Sequence, residues 1–219
     1  MAKIVWDATG ERYYESGVDH GVLYPLGSAG RYETGVAWNG LINVTESPEG
    51  AEPSDMWADN IKYGSLRSAE TFGGTIEAYT YPEEFEECDG NKMVKEGVYI
   101  GQQSRKSFGF SYRTKIGNDV NQDLGYKLHL VYGCTASPSE KSRDTINDSP
   151  EAATLSWEFD TTPVNVTGGD PTATIVVDSR TANATALANL EKKLYGDNTT
   201  GQPTLPSPDE VIAMFNEEA

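Results

Sequence analysis

Apolar and polar residues alternate with a period of two through the middle of the chain, the spacing that sends successive side chains to opposite faces of a strand. Phe108, Phe110 and Tyr112 share one face of a run over 107–114. Tyr126, Leu128, Leu130 and Tyr132 do so over 124–134, leaving Lys127 and His129 on the polar side. Leu155, Trp157 and Phe159 alternate with Ser156, Glu158 and Asp160, and 172–178 turns Ile175 and Val177 inward. Shorter runs at 21–26, 36–44, 74–81 and 98–102 are parted by Gly, Pro and acidic clusters. Short alternating runs with turn signals between them predict a mainly β fold, an antiparallel sandwich.

The period changes near the end. Leu187, Leu190 and Leu194 recur at helical spacing over 181–194, with Lys192 and Lys193 in the last turn and Gly196 as a stop. After a linker over 196–206, Ser207, Pro208 and Glu210 form a capping-box start to a helix with Val211, Met214 and Phe215 as its apolar stripe. The chain thus divides into a β region over 1–180 and a helical region over 181–219. Three segments resist regular assignment: an N-terminal arm, a polar stretch over 45–72 and a loop over 136–151.

Lys and Arg number 17 against 34 Asp and Glu, a net charge of −17, which disfavours sequence-specific binding of nucleic acid. No window approaches the roughly 18 apolar residues of a membrane-spanning helix, and the N-terminus lacks a secretory h-region. The expectation is a soluble protein made in the cytoplasm, an origin that favours free thiols at Cys88 and Cys134 over a bridge between them.

Candidate chemistry is thin. The acids Glu83, Glu84, Glu86, Glu87 and Asp89 lie on one segment, whereas a glycosidase needs carboxylates converging across a cleft, so a solvated face is expected. Asp119, Asn121 and Asp123 imitate the start of a calcium loop, but the glycine is one place late and Leu130 stands where the bidentate acid belongs. His20, His129, Cys88 and Cys134 lack paired zinc-ligand spacing, and both histidines read as surface residues. The pairs at Gly73 and Gly168 lead into strands and not helix N-termini, so neither is a phosphate loop. A non-enzymatic protein without metal or cofactor is expected. Trp38, Trp57 and Tyr63 lie in or beside the 45–72 stretch, where large aromatics serve as interface anchors or pack on their own domain.

The order of AWNGL, NVTESPEGAEP, ADNIKY and FGGTIEAYTYPEEFEECDG across 36–89 resembles the major tail protein, the tail tube subunit, of long non-contractile-tailed phages of Gram-positive bacteria. The likeness continues more loosely through GVYIGQQSRKSFGFSYRT and LGYKLHLVYGCTASPSEK, and returns in LEKKLYG and LPSPDEVIAMF; the N-terminal arm and the 136–151 loop match least. The resemblance implies a β-sandwich with a flanking helix and a C-terminal helical arm, self-assembling into rings, commonly hexameric, that stack into a tube. It implies that 45–72 reaches a neighbouring subunit; Trp38, Trp57, Tyr63 and Phe72, as large aromatics in or beside that segment, are the expected inter-subunit contacts. It further implies location in the virion, contact with tape-measure and tail terminator proteins, and transient, non-specific passage of DNA. Glu77, Glu158 and Asp160 are the expected acids of the bore, where negative charge opposes the counterion release by which proteins hold DNA. A monomeric carbohydrate-binding or adhesin-like sandwich is the alternative, and an acidic-site hydrolase a third reading.

Overall fold

The period-two runs are paired strands in the computed structural model, which describes residues 4–50, 52–143, 145–146, 148, 152–197 and 201–216. In chain order the strands are β1 (Tyr14–Pro25), β2 (Val36–Trp38), β3 (Leu41–Glu46), β4 (Glu49–Gly50), β5 (Pro53–Ala58), β6 (Ile61–Arg67) and β7 (Glu70–Thr71). They continue as β8 (Gly73–Ala78), β9 (Lys92–Lys95), β10 (Val98–Ile100), β11 (Phe108–Gly117), β12 (Gly125–Ala136), β13 (Leu155–Thr161) and β14 (Thr174–Asp178). Helices α1 (Ala184–Tyr195) and α2 (Pro208–Asn216) follow. With 45% strand and 12% helix, the chain is mainly β, an antiparallel sandwich with a flanking and a C-terminal helix.

The main sheet runs β2-β1-β11-β12-β13-β8-β3, with β14 also on β12. β12 bends to serve two layers. Its first half pairs Lys127 to Val131 with β14, and its last residues, Cys134 to Ala136, pair with β13. Between them Gly133 takes φ 63°, a left-handed conformation open to glycine, and its carbonyl accepts from Thr162 N–H at 3.0 Å. The bend folds β13, β8 and β3 back over β1 and β11, enclosing Leu23, Trp38, Ile76, Phe85, Phe108, Phe110, Val131 and Trp157.

The outer face of the first layer carries Val22, Tyr24, Leu128, Leu130, Tyr132 and Val177, which need a cover. α1 supplies it through Leu187, Leu190 and Leu194. Asn183 caps this helix by accepting from Thr185 and Ala186 N–H. The expected capping box starts α2: Ser207 N–H donates to Glu210 Oε2 at 2.9 Å, and Glu210 N–H to Ser207 Oγ at 3.4 Å. Val211, Met214 and Phe215 dock on the same cluster, so α2 packs on its own chain.

The strand expected over 36–44 is two strands in different layers. Gly40, at φ 74°, turns the chain so that β2 joins β1 while β3 crosses to β8. The run expected over 98–102 is β10, which forms a separate hairpin with β9 instead of joining the main sheet. The 83–89 acids are only partly solvated. Phe85 and Cys88 are fully buried, and Asp89 is buried between Arg105 and Lys141. Cys88 and Cys134 are free and buried in the inner core. No helix among the described residues is long and apolar enough to cross a membrane.

Candidate assembly surfaces and a polar seam

Residues 45–72 form an arm and not an irregular loop. β4 pairs with β7 at its root, and β5 pairs with β6 beyond. Asp59 and Asn60 both take positive φ, 50° and 64°, the type I′ geometry that matches strand twist and that Asp and Asn tolerate. That dipeptide between Ala58 and Ile61 was the sequence signal for the hairpin. The arm exposes Met56, Trp57, Ile61, Tyr63 and Leu66, with Trp57 at 69% and Tyr63 at 75%. By register, Met56, Ile61 and Leu66 share one face, while Trp57 lies with Asp55 and Lys62 on the other. The arm therefore carries exposed apolar side chains on both sides, with polar ones beside Trp57.

Trp38 and Phe72 are placed differently. Trp38 is 2% exposed, donates Nε1–H to Thr80 O at 3.0 Å and packs edge-on against Phe110 and Trp157. Its placement in or beside the loop is corrected: it is an inner-core residue, turned inward by its place on β2 opposite Gly21. Phe72 is half-buried against the same core at the arm's exit.

Glu77, Glu158 and Asp160 come together on one surface. Glu77 stands opposite Ser156, Glu158 opposite Thr75, and Asp160 opposite Gly73, while Ile76, Trp157 and Phe159 face the core. Asn43 and Thr45 continue this polar face onto β3. It is the outer face of the second layer, opposite the core. A cleft of about 190 Å³ at its edge includes Glu49, Glu158 and Asp160.

Sequence reasoning missed a third feature. β1 and β3 approach where Leu41 faces Gly21, then part around a cleft of about 280 Å³ lined by Glu15, Val18, Ile42, Val44, Tyr112 and Thr114. Here His129 is not a surface residue; it is 9% exposed and stacks on Tyr112, with centroids 4.6 Å apart and planes 5° from parallel. Its ring nitrogens meet Thr114 Oγ1 at 3.1 Å and Glu46 Oε1 at 3.2 Å, the latter off the line of a straight hydrogen bond. Tyr112 donates to Glu46, and Lys127 pairs with Glu15. The His129 contact, opposed by burial and aided by Tyr112, holds the Glu46 carboxyl below its usual 4.5. Lys127 does the same for Glu15.

The order Glu46, His129, Thr114 imitates a nucleophilic triad, but proton counting argues against one. Thr114 gives its single proton to Glu15 Oε2 at 3.1 Å, so its oxygen accepts from His129 Nε2. An imidazole donating to the hydroxyl is not placed to activate it.

No protein-family model matches the chain, and no curated protein sequence matches it.

Proposed function

We propose that this chain is a self-assembling structural subunit, of the kind that stacks as rings into a phage tail tube and encloses an acidic conduit for DNA. The arm carries the proposal. Large apolar side chains clustered on one exposed element mark interaction sites, and a projecting hairpin with Trp57, Tyr63, Ile61 and Leu66 more than 60% exposed calls for burial by another molecule. Apolar residues on both sides suit insertion between two neighbours better than docking on one.

Magnitudes favour a multivalent assembly over a simple dimer. Burying roughly 300 Å² of Trp57 and Tyr63 gains about 7 kcal/mol at ~25 cal/mol/Å². Association costs about 4–15 kcal/mol in lost freedom, so one arm alone holds a pair weakly. A closed ring repeats the contact and makes each later one intramolecular.

Glu77, Glu158 and Asp160 supply the lining in this proposal, because their face is neither under the helices nor part of the core. The double variant Trp57→Ala/Tyr63→Ala tests the arm's role. Sedimentation velocity is expected to show large species for the native chain and monomer for the variant, with the far-UV spectrum unchanged. Equal assembly by both would remove the arm from the mechanism.

A further inference from the structure

We infer that Tyr112 and His129 form a latch on Glu46 that fixes the direction in which the arm leaves the sandwich. The inference rests on the reading of the arm as an assembly element, but its test reads the arm itself. Glu46 is the last residue of β3, and the next residue, Ser47, enters the arm with its N–H bonded to Gly73 O at 2.8 Å. The arm's two ends therefore hang from β3 and β8, both in the second layer. Tyr112, on β11, lines the cleft, and His129, on β12, stacks on it, so their contacts with Glu46 tie the arm's root to the first layer across the sandwich.

The tie is built and not incidental. His129 is clamped by its stack on Tyr112 and by Thr114, which is held in turn by Glu15 and through it by Lys127. Every member of this chain is oriented by its neighbour, so the ring presents Nδ1 to Glu46 in one pose. Glu46 itself remains 42% exposed in its side chain, as a group that engages and releases must be.

Spin labels on Ser65→Cys in β6 and Lys192→Cys in α1 report the arm's direction against the body. Both positions are exposed, whereas native Cys88 and Cys134 are buried; burial pushes the Cys88 thiol up to about 12 and Cys134 higher still, which keeps both from labelling. Measured on monomer, at a concentration below that at which larger species sediment, the native distances should give one narrow peak at neutral pH. Tyr112→Phe and Glu46→Gln should each lose that peak to a broad distribution, with circular dichroism confirming a folded sandwich.

Acid provides a second arm. Glu46 faces Tyr112 from β11 and His129 and Lys127 from β12; Lys127 in turn pairs with Glu15 of β1 and lies opposite Asp178 of β14. Because the Glu46 carboxyl titrates below 4.5 in the fold, its contribution is present above that value and lost as pH falls through the folded value. The native chain should lose the narrow peak there, while Glu46→Gln, already broad, should not change. Narrow peaks in both variants, or in the acidified native chain, would overturn the latch. Absence of native rings counts against the assembly reading alone, since the distances are measured on monomer.

Discussion

Trp157→Ala is expected to lower the free energy of unfolding by about 4 kcal/mol, the largest effect of any single truncation in the inner core. Trp157 is 1% exposed at the centre of an aromatic cluster, with ring centroids 5.6 Å from Trp38, 5.3 Å from Tyr81 and 5.3 Å from Phe85. These partners come from the β2 edge, the segment after β8 and the 3₁₀ turn Glu83–Phe85, so they cannot close together on the vacated volume. Trp157→Phe should cost under about 2 kcal/mol, because a ring remains and the indole Nε1 has no hydrogen-bond partner to lose among the described residues. Urea denaturation decides the point: a large drop in midpoint at constant slope is expected for Ala, and a small one for Phe. A loss below about 1 kcal/mol for Ala would mean that this cluster is not the centre of the core.

Asp89→Ala is expected to cost about 3 kcal/mol, far more than removal of any surface acid. The Asp89 side chain is 5% exposed and takes both Arg105, at 3.2 Å, and Lys141. Removing it strands two cations that are themselves 22% and 25% exposed, and unties Lys141 from its place near the Tyr81 and Trp157 rings. The contrast is Asp55, whose pair with Lys62 at 2.7 Å is 36% and 51% exposed on the arm. Water screens that pair, so Asp55→Ala should change stability by under about 1 kcal/mol. Equal denaturation midpoints for the two variants would show that the Asp89 pair is not buried in solution.

How much of this was legible in the sequence depended on which interaction set the local structure. Leu155, Trp157 and Phe159 alternate without interruption, and the strand lies where alternation places it. Helix ends were legible because Ser207 and Glu210 act through bonds within a few residues and Gly196 through its own backbone, at φ 76°. The 36–44 run was misread as one strand because apolarity continues through it; the conformation at Gly40, and not hydrophobicity, moves the chain between layers. Asp89 and His129 failed for a related reason. A charged residue in an acidic run and a histidine on a polar strand face read as exposed until distant partners, Arg105 and Lys141 or Glu46 and Tyr112, are brought over them by topology. Glu77, Glu158 and Asp160 share a face because two alternating strands pair in register, which strand patterns taken singly do not reveal.

Trp38 and Trp57 show the limit most clearly. Both are tryptophans near turns in one polar stretch, yet one is 2% and the other 69% exposed. Trp38 faces inward from a strand flanked by the main sheet, whereas Trp57 lies on a two-stranded ladder with no second layer to cover it. The difference lies in sheet membership, a long-range property.

Cryo-electron microscopy of the purified full chain across a range of concentrations is the direct test of assembly. Rings of uniform diameter that stack into tubes are expected, with the face bearing Glu77, Glu158 and Asp160 turned to the bore and the arm inserted between neighbours. Particles that remain monomeric at every concentration, or a tube whose bore is basic, would contradict it.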